Sequence, residues 1–429
     1  ALSQEDTGGR SVAIGRSALG SQNNDASNYN VAVGYNSGVS VTTGIYNTLI
    51  GGLAGDALTT GTRNVAIGLN ALGTEDTGSH NVAIGHQALA VADAGADAYN
   101  VAIGSSAGAA ITSGTTNTLI GGLAGDAMTT AGSNVGIGYK TLSDETTGGN
   151  NIAIGYEAMA SSQLSQLNIA IGLQALQNVT NSTLKNTYNI GIGPQAGNDI
   201  TIGEKNILIG AFSGDAITEG LHNVALGYAT LGANVDSDRN VAIGSNALAA
   251  MTGTAGDTYN VAVGHNAGND VTTGIQNTLI GGLAGDAITS GHSSTALGYA
   301  ALSTEDTSSH NTAIGYAAMA SGQNAAKNVA VGNNTLTSMQ PASNTDTYNV
   351  AVGYNAGLSV TTGVQNTLVG GLAGDALTEG GYNVAIGYNA LSTEDAHGTN
   401  IAIGKSALQN LNAGANAYNV AVGFEAGLN

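Results

Sequence analysis

One pentapeptide constrains the fold of this chain more than any other feature: Asn64-Val65-Ala66-Ile67-Gly68, which recurs in close variants from Ser11 to Asn419. Asn or Ser, two small or aliphatic residues, Ile, Val or Leu, and then Gly follow one another in 24 copies. Of the 23 steps between copies, 17 are 17 residues long and the other six are 19, 20 or 21. A fixed period this short marks a solenoid, in which each repeat meets mainly its neighbours. The expected fold is all-β: a parallel β-solenoid (β-roll) of about 24 coils with a 17-residue period. It reads as one continuous segment over 1-429, grouped into super-repeats at about 30-99, 100-188, 189-259, 260-348 and 349-418.

Coil positions are numbered here from the Asn. Position 2 is Val, Ile or Thr and position 4 is Ile, Val or Leu, with Ala or Leu between them, as in Thr48-Leu49-Ile50. Alternation with β-branched enrichment predicts a short strand. Position 3 is apolar as well, so both strand faces look dry. Only one face can meet the core of a single solenoid, so the second predicts another chain packed alongside. Gly at position 5 fits a corner needing positive φ or close backbone approach. Positions 6–9 predict a second short strand, and positions 10–17 a turn-rich return. Asn at position 1 in 22 of 24 coils predicts an amide ladder along the fibre.

A second period lies over the first. Each group opens after Tyr29, Tyr99, Tyr188, Tyr259, Tyr348 or Tyr418, then carries a coil of the type Asn47-Thr48-Leu49-Ile50-Gly51-Gly52-Leu53-Ala54-Gly55-Asp56-Ala57. Each group closes on a coil lengthened by two to four residues. At about 4.8 Å per coil, the lengthened corners would decorate a rod of roughly 115 Å every ~20–24 Å. The sequence begins and ends in mid-coil, which predicts a segment of a longer protein.

Composition narrows the function. Nine basic and 29 acidic residues give a net charge of −20, which argues against nucleic acid and anionic membranes as partners. There is no cysteine and no apolar run long enough for a membrane span. Asp56, Asp126, Asp215, Asp286 and Asp375 hold one position in five equivalent coils. Their surroundings look superficially like a calcium-binding glycine-rich nonapeptide, but the glycine register and the spacing both differ. They read instead as turn-forming residues that bond their own backbone. The pairs Glu5/Asp6, Glu75/Asp76, Glu305/Asp306 and Glu394/Asp395 read the same way. Seven histidines are spread over repeat positions, and no paired carboxylates face a cleft, so no catalytic residue and no cofactor is expected.

The tyrosines form two stripes. Tyr35, Tyr139, Tyr156, Tyr228, Tyr299, Tyr316, Tyr354 and Tyr388 follow the motif Gly, and the other eight precede the motif Asn. The first set makes a candidate contact for glycans; the competing reading has the rings covering apolar strand edges with wet hydroxyls.

The repeated Asn-Val/Thr-Ala-Ile-Gly-x-x-Ala resembles the head repeats of trimeric autotransporter adhesins. The 17-residue spacing, with Thr-Thr-Gly at Thr42-Thr43-Gly44 and Thr361-Thr362-Gly363, is closer to Asn-Thr-Ala-Ile-Gly repeats of phage tail fibres and bacterial surface proteins. The resemblance implies a left-handed β-roll with three chains around one axis. The adhesin coil is shorter, and no stalk, membrane anchor or chaperone domain is present. The resulting expectation is an extracellular fibre shaft or adhesive head, on a virion tail or a cell surface, that presents periodic loops to a host surface. Its partners would be copies of itself, as a homotrimer, and host surface glycans. The alternative is a self-assembling matrix or sheath filament.

Overall fold

The computed structural model describes residues 2–3, 9–253 and 255–428. It is all-β, a parallel β-solenoid of about 24 turns with a period near 17 residues, and the described residues contain no helix. Two compact units divide the chain, Ala1–Glu219 and Gly220–Asn429.

Each pentapeptide forms a three-residue strand at positions 2–4, such as Val65–Ile67. In the first unit, Val65, Ala66 and Ile67 stand opposite Val82, Ala83 and Ile84 of the next coil, and Thr48, Leu49 and Ile50 of the preceding one. The second unit repeats the arrangement, with Val384, Ala385 and Ile386 opposite Ile401, Ala402 and Ile403. Equivalent positions pair even across a 21-residue step, where Ile169 stands opposite Ile190. The extra residues are therefore looped out at a corner, and the register of the strands is kept.

Position 3 faces inward and is fully buried, whether Ala66 or Leu49. The two coil types are a volume compensation. Where position 3 is Leu49, position 9 is glycine both in its own coil and in the one before. A Cβ on Gly38 or Gly55 would lie only 2.6 or 2.8 Å from a Leu49 methyl. Where position 3 is Ala66, position 9 supplies the bulk as the buried Leu72. Such matched filling keeps a thin core at native density.

The second strand expected at positions 6–9 is absent; those residues form turns. Positions 7 and 9 take left-handed backbone, as at Asn70 (φ 57°) and Leu72 (φ 53°). An extended segment is incompatible with a left-handed residue at every second position. The turns stay on the ladder nonetheless: Asn70 N donates to Gly52 O at 3.0 Å, and Leu72 N to Ala88 O at 3.0 Å. A non-glycine residue in this region costs about 1 kcal/mol, which inter-coil hydrogen bonds and burial of Leu72 offset.

Candidate interaction face and lengthened corners

Side chains alternate across a strand. With positions 1 and 3 buried inside, the residue just before each Asn (position 17 of an ordinary coil) and positions 2, 4 and 6 form an outward face four columns wide. The two inner columns are aliphatic except for threonine at position 2 of six coils, and half-buried to exposed; Ile14, Ile50, Leu226, Leu297 and Val352 are among the exposed ones. The outer columns hold all 16 tyrosines, each exposed, from 43% at Tyr29 to 73% at Tyr418. They also hold seven of the nine Lys and Arg residues: Arg10, Arg16, Arg63, Lys205, Arg239, Lys327 and Lys405. Among the described residues, no Asp or Glu stands in any of the four columns. A chain with 29 acidic residues thus keeps one face of each unit free of them. The acidic residues lie mainly at positions 10–14 and in the lengthened corners.

Cations and rings of neighbouring coils meet in one column of this face. Arg63 lies over Tyr46 at 5.6 Å, Arg239 over Tyr259 at 5.7 Å and Lys327 over Tyr348 at 5.3 Å. Tyr139 stacks on Tyr156 at 5.6 Å and Tyr299 on Tyr316 at 5.7 Å. At three of the four glycines of position 6 the next coil's ring takes the space: a Cβ on Gly122 would lie 3.6 Å from Tyr139, one on Gly282 3.4 Å from Tyr299, and one on Gly371 3.5 Å from Tyr388. In these rungs the tyrosines turn their faces along the ladder and expose their edges.

The lengthened corners each lie against the corner of the preceding coil. Ser79 bridges Asp97; Gln163–Gln166 pairs with Thr180–Asn186, Ser237–Asp238 with Gly256–Asp257, and Ala325–Ala326 with Thr345–Asp346. Three of these corners place an aspartate beside a lysine, arginine or histidine and a tyrosine of the face. Asp257 pairs with Arg239 and accepts from the Tyr259 hydroxyl at 2.8 Å. Asp346 accepts from Lys327 Nζ at 2.5 Å and from the Tyr348 hydroxyl at 3.2 Å. Asp97 lies 3.4 Å from His80 Nδ1, whose ring stacks on Tyr99. The Lys327 ammonium holds the Asp346 carboxyl below the usual carboxylate range.

Asp56, Asp126, Asp215, Asp286 and Asp375 lie half-buried at position 10. They do not come together, being separated by four or five coils. Burial pushes all five carboxyls up, and a bond to their own backbone pulls them partly back. In Asp56, Asp126, Asp286 and Asp375 one buried oxygen has no hydrogen-bond partner. Burial also raises Glu75 and Glu305. A carboxyl whose folded pKa exceeds its unfolded value disfavours the fold when ionised, so stability is gained as pH falls through the folded value. The thermal midpoint is therefore expected to rise as the pH falls from 7 toward the usual carboxylate range, helped by relief of a net charge of −20. A midpoint that falls over this interval in a melting series would contradict the assignment of these buried acids.

The grouping of Glu75, Glu305 and Glu394 with their aspartates as plain turn pairs missed a difference. The glutamates are fully buried, and Glu145 joins them. The available signal was the column: position 12 is apolar in most other coils. Glu5 and Asp6 lie outside the described residues. Carboxylates and a histidine do approach one another at Glu75, Asp76 and Asp93, and at Glu394, Asp395 and His397. The Glu394 oxygens already accept from the amides of His397 and Ala413.

No family model matches this chain, and no curated protein matches its sequence.

Proposed function

We propose that this chain is a structural fibre segment, the shaft or adhesive head of a virion tail fibre or cell-surface adhesin, which works outside the cell. It associates with copies of itself as a homotrimer and offers its lengthened corners to a host surface. The observation that carries this reading is the acid-free outward face. Half-exposed aliphatics repeated at positions 2 and 4 surpass, within a handful of coils, the few hundred Å² of apolar patch that a typical monomer exposes. The tyrosines and arginines beside them are residue types favoured at the centres of interfaces. The resemblance of the pentapeptide to adhesin-head and tail-fibre repeats supports threefold packing. The alternative, a matrix or sheath filament, uses the same face for open-ended association. Native mass distinguishes them: a discrete threefold mass favours the fibre, and an open series of masses the filament.

Contact with host glycans is the second part of the proposal, supported by the exposed hydroxyls and ring edges of Tyr139, Tyr156, Tyr299 and Tyr316. A glycan array probed with the assembled protein is expected to give hits that weaken when Tyr139 and Tyr156 are changed to Ala. An array without hits, or hits indifferent to those changes, sinks the glycan part alone.

A further inference from the structure

Position 12 points into the core and is filled by fully buried Leu58, Ile111, Met128, Ile200, Val271 and Leu377 in other coils. Among the described residues the same column holds Glu75, Glu145, Glu305 and Glu394 in four coils, each 0% exposed. Exchanging an apolar side chain for a carboxylate in a thin core is unfavourable unless donors are waiting for it.

The donors are backbone amides that the ladder leaves over. In ordinary coils the amide of position 15 donates to the backbone of the following coil: Gly44 N to Thr59 O at 3.2 Å, Gly203 N to Thr218 O at 3.2 Å and Gly363 N to Thr378 O at 3.2 Å. In the glutamate coils that amide turns inward. Gly78 N donates to Glu75 at 2.7 Å, Gly148 N to Glu145 at 2.7 Å, Ser308 N to Glu305 at 3.1 Å and His397 N to Glu394 at 3.2 Å. Each carboxylate also collects an amide of the next coil: Ala94 N at 3.5 Å, Leu164 N at 3.0 Å, Asn324 N at 3.2 Å and Ala413 N at 3.1 Å. Ala94 and Ala413 belong to lengthened coils. Leu164 lies in the segment that pairs with the lengthened corner Thr180–Asn186, and Asn324 directly precedes the one that pairs with Thr345–Asp346.

We propose that Glu75, Glu145, Glu305 and Glu394 are positioning residues that clamp the coil corners on which the lengthened corners are laid. Each replaces the backbone acceptor that the next coil no longer supplies. The fit is close: a Cβ on Gly78 would lie 2.4 Å from the Glu75 carboxyl carbon, and one on Gly148 2.6 Å from that of Glu145. The use of the clamp, fixed presentation of corners, rests on the fibre reading above; its existence does not, and the test reads backbone protection only.

The test is hydrogen exchange on the full chain in three variants. Glu75→Leu installs a residue type that other coils use at this position, Glu75→Gln keeps an acceptor, and Gly78→Ala leaves the glutamate but blocks its seat. In Glu75→Leu and Gly78→Ala, amides over 76–79 and 93–98 are expected to exchange about tenfold faster or more, with Val65–Ile67 and Val82–Ile84 unchanged. Glu75→Gln is expected to recover most of the protection. Unchanged exchange over 76–79 and 93–98 in Glu75→Leu would overturn the proposal. So would acceleration spread evenly along the chain in both Glu75→Leu and Gly78→Ala.

Discussion

Replacing Gly68 by Ala is expected to destabilise the solenoid by about 4 kcal/mol, at the upper end of single-residue effects. Gly68 has φ +134°, a region that L side chains rarely enter, and its new Cβ would lie 2.4 Å from Gly85 O and 2.6 Å from Gly85 C. The obstacle is the backbone of the next coil, which is itself held by Gly85 N donating to Ile67 O at 2.7 Å. Relief would require opening the inter-coil spacing where the ladder is tightest. The same contact recurs along the column, at 2.3 Å for Gly34 against Gly51 O and 2.5 Å for Gly387 against Gly404 O. Gly414→Ala is the control: nothing lies within 4 Å of its Cβ site. It is expected to stay within about 0.5 kcal/mol of the parent. Urea denaturation of the three proteins checks both values, and a Gly68→Ala protein as stable as the control would refute the glycine argument.

Asn64→Ala is expected to cost about 3 kcal/mol. The side chain is fully buried and uses both ends of its amide. Its Nδ2 donates to Gly78 O at 2.9 Å, closing its own coil, and its Oδ1 accepts from Asn81 N at 2.9 Å, tying down the next. Truncation strands a buried carbonyl and a buried N–H, each worth roughly 1–3 kcal/mol. Aspartate lacks the donor, and the serine hydroxyl can donate and accept but is too short to reach the partners of both amide ends well; Ser294 Oγ donates to His292 O only at 3.5 Å. The chain contains its own test of serine: at Ser294 the Asn311 amide still finds an acceptor, but at 3.3 Å. Asn64→Ser is therefore expected to cost about half as much as Asn64→Ala. Equal losses for the two variants would show that volume, rather than the amide clasp, decides the position.

Much of this architecture was legible because a 17-residue period acts on every coil at once. The strand at Val65–Ile67, the glycine after it and the corners that absorb extra residues all follow from repetition and alternation. The amide ladder was legible as well, though its geometry differs from simple side-chain stacking. In ordinary coils, as at Asn47, Asn64 and Asn366, the Asn lies inside the core and bonds its own coil and the backbone of the next. Asn168, Asn240, Asn328 and Asn400 instead turn Nδ2 back to the preceding coil. Positions 6–9 misled because Tyr and Leu suggested a strand although Asn and Ala are poor strand formers. Inter-coil bonding and burial there override the local preference and hold Asn70 and Leu72 in left-handed backbone. The glutamates misled for a related reason. Glu75-Asp76 looks like a solvated turn when read as a dipeptide, and only its column in the stacked coil reveals a core position. The two tyrosine stripes were visible in sequence, but not that they border one acid-free face. That requires knowing that the residue before each Asn and positions 2, 4 and 6 point outward together.

The central claim is that this face exists to be covered by further copies of the chain. Native mass spectrometry of the folded protein, repeated at high ionic strength, tests it most directly. The account predicts one discrete species of three chains, three times the 42.0 kDa of the single chain. That species should survive added salt, because aliphatic contact holds the face together. A single-chain mass at every concentration tested, with the fold intact, would contradict it.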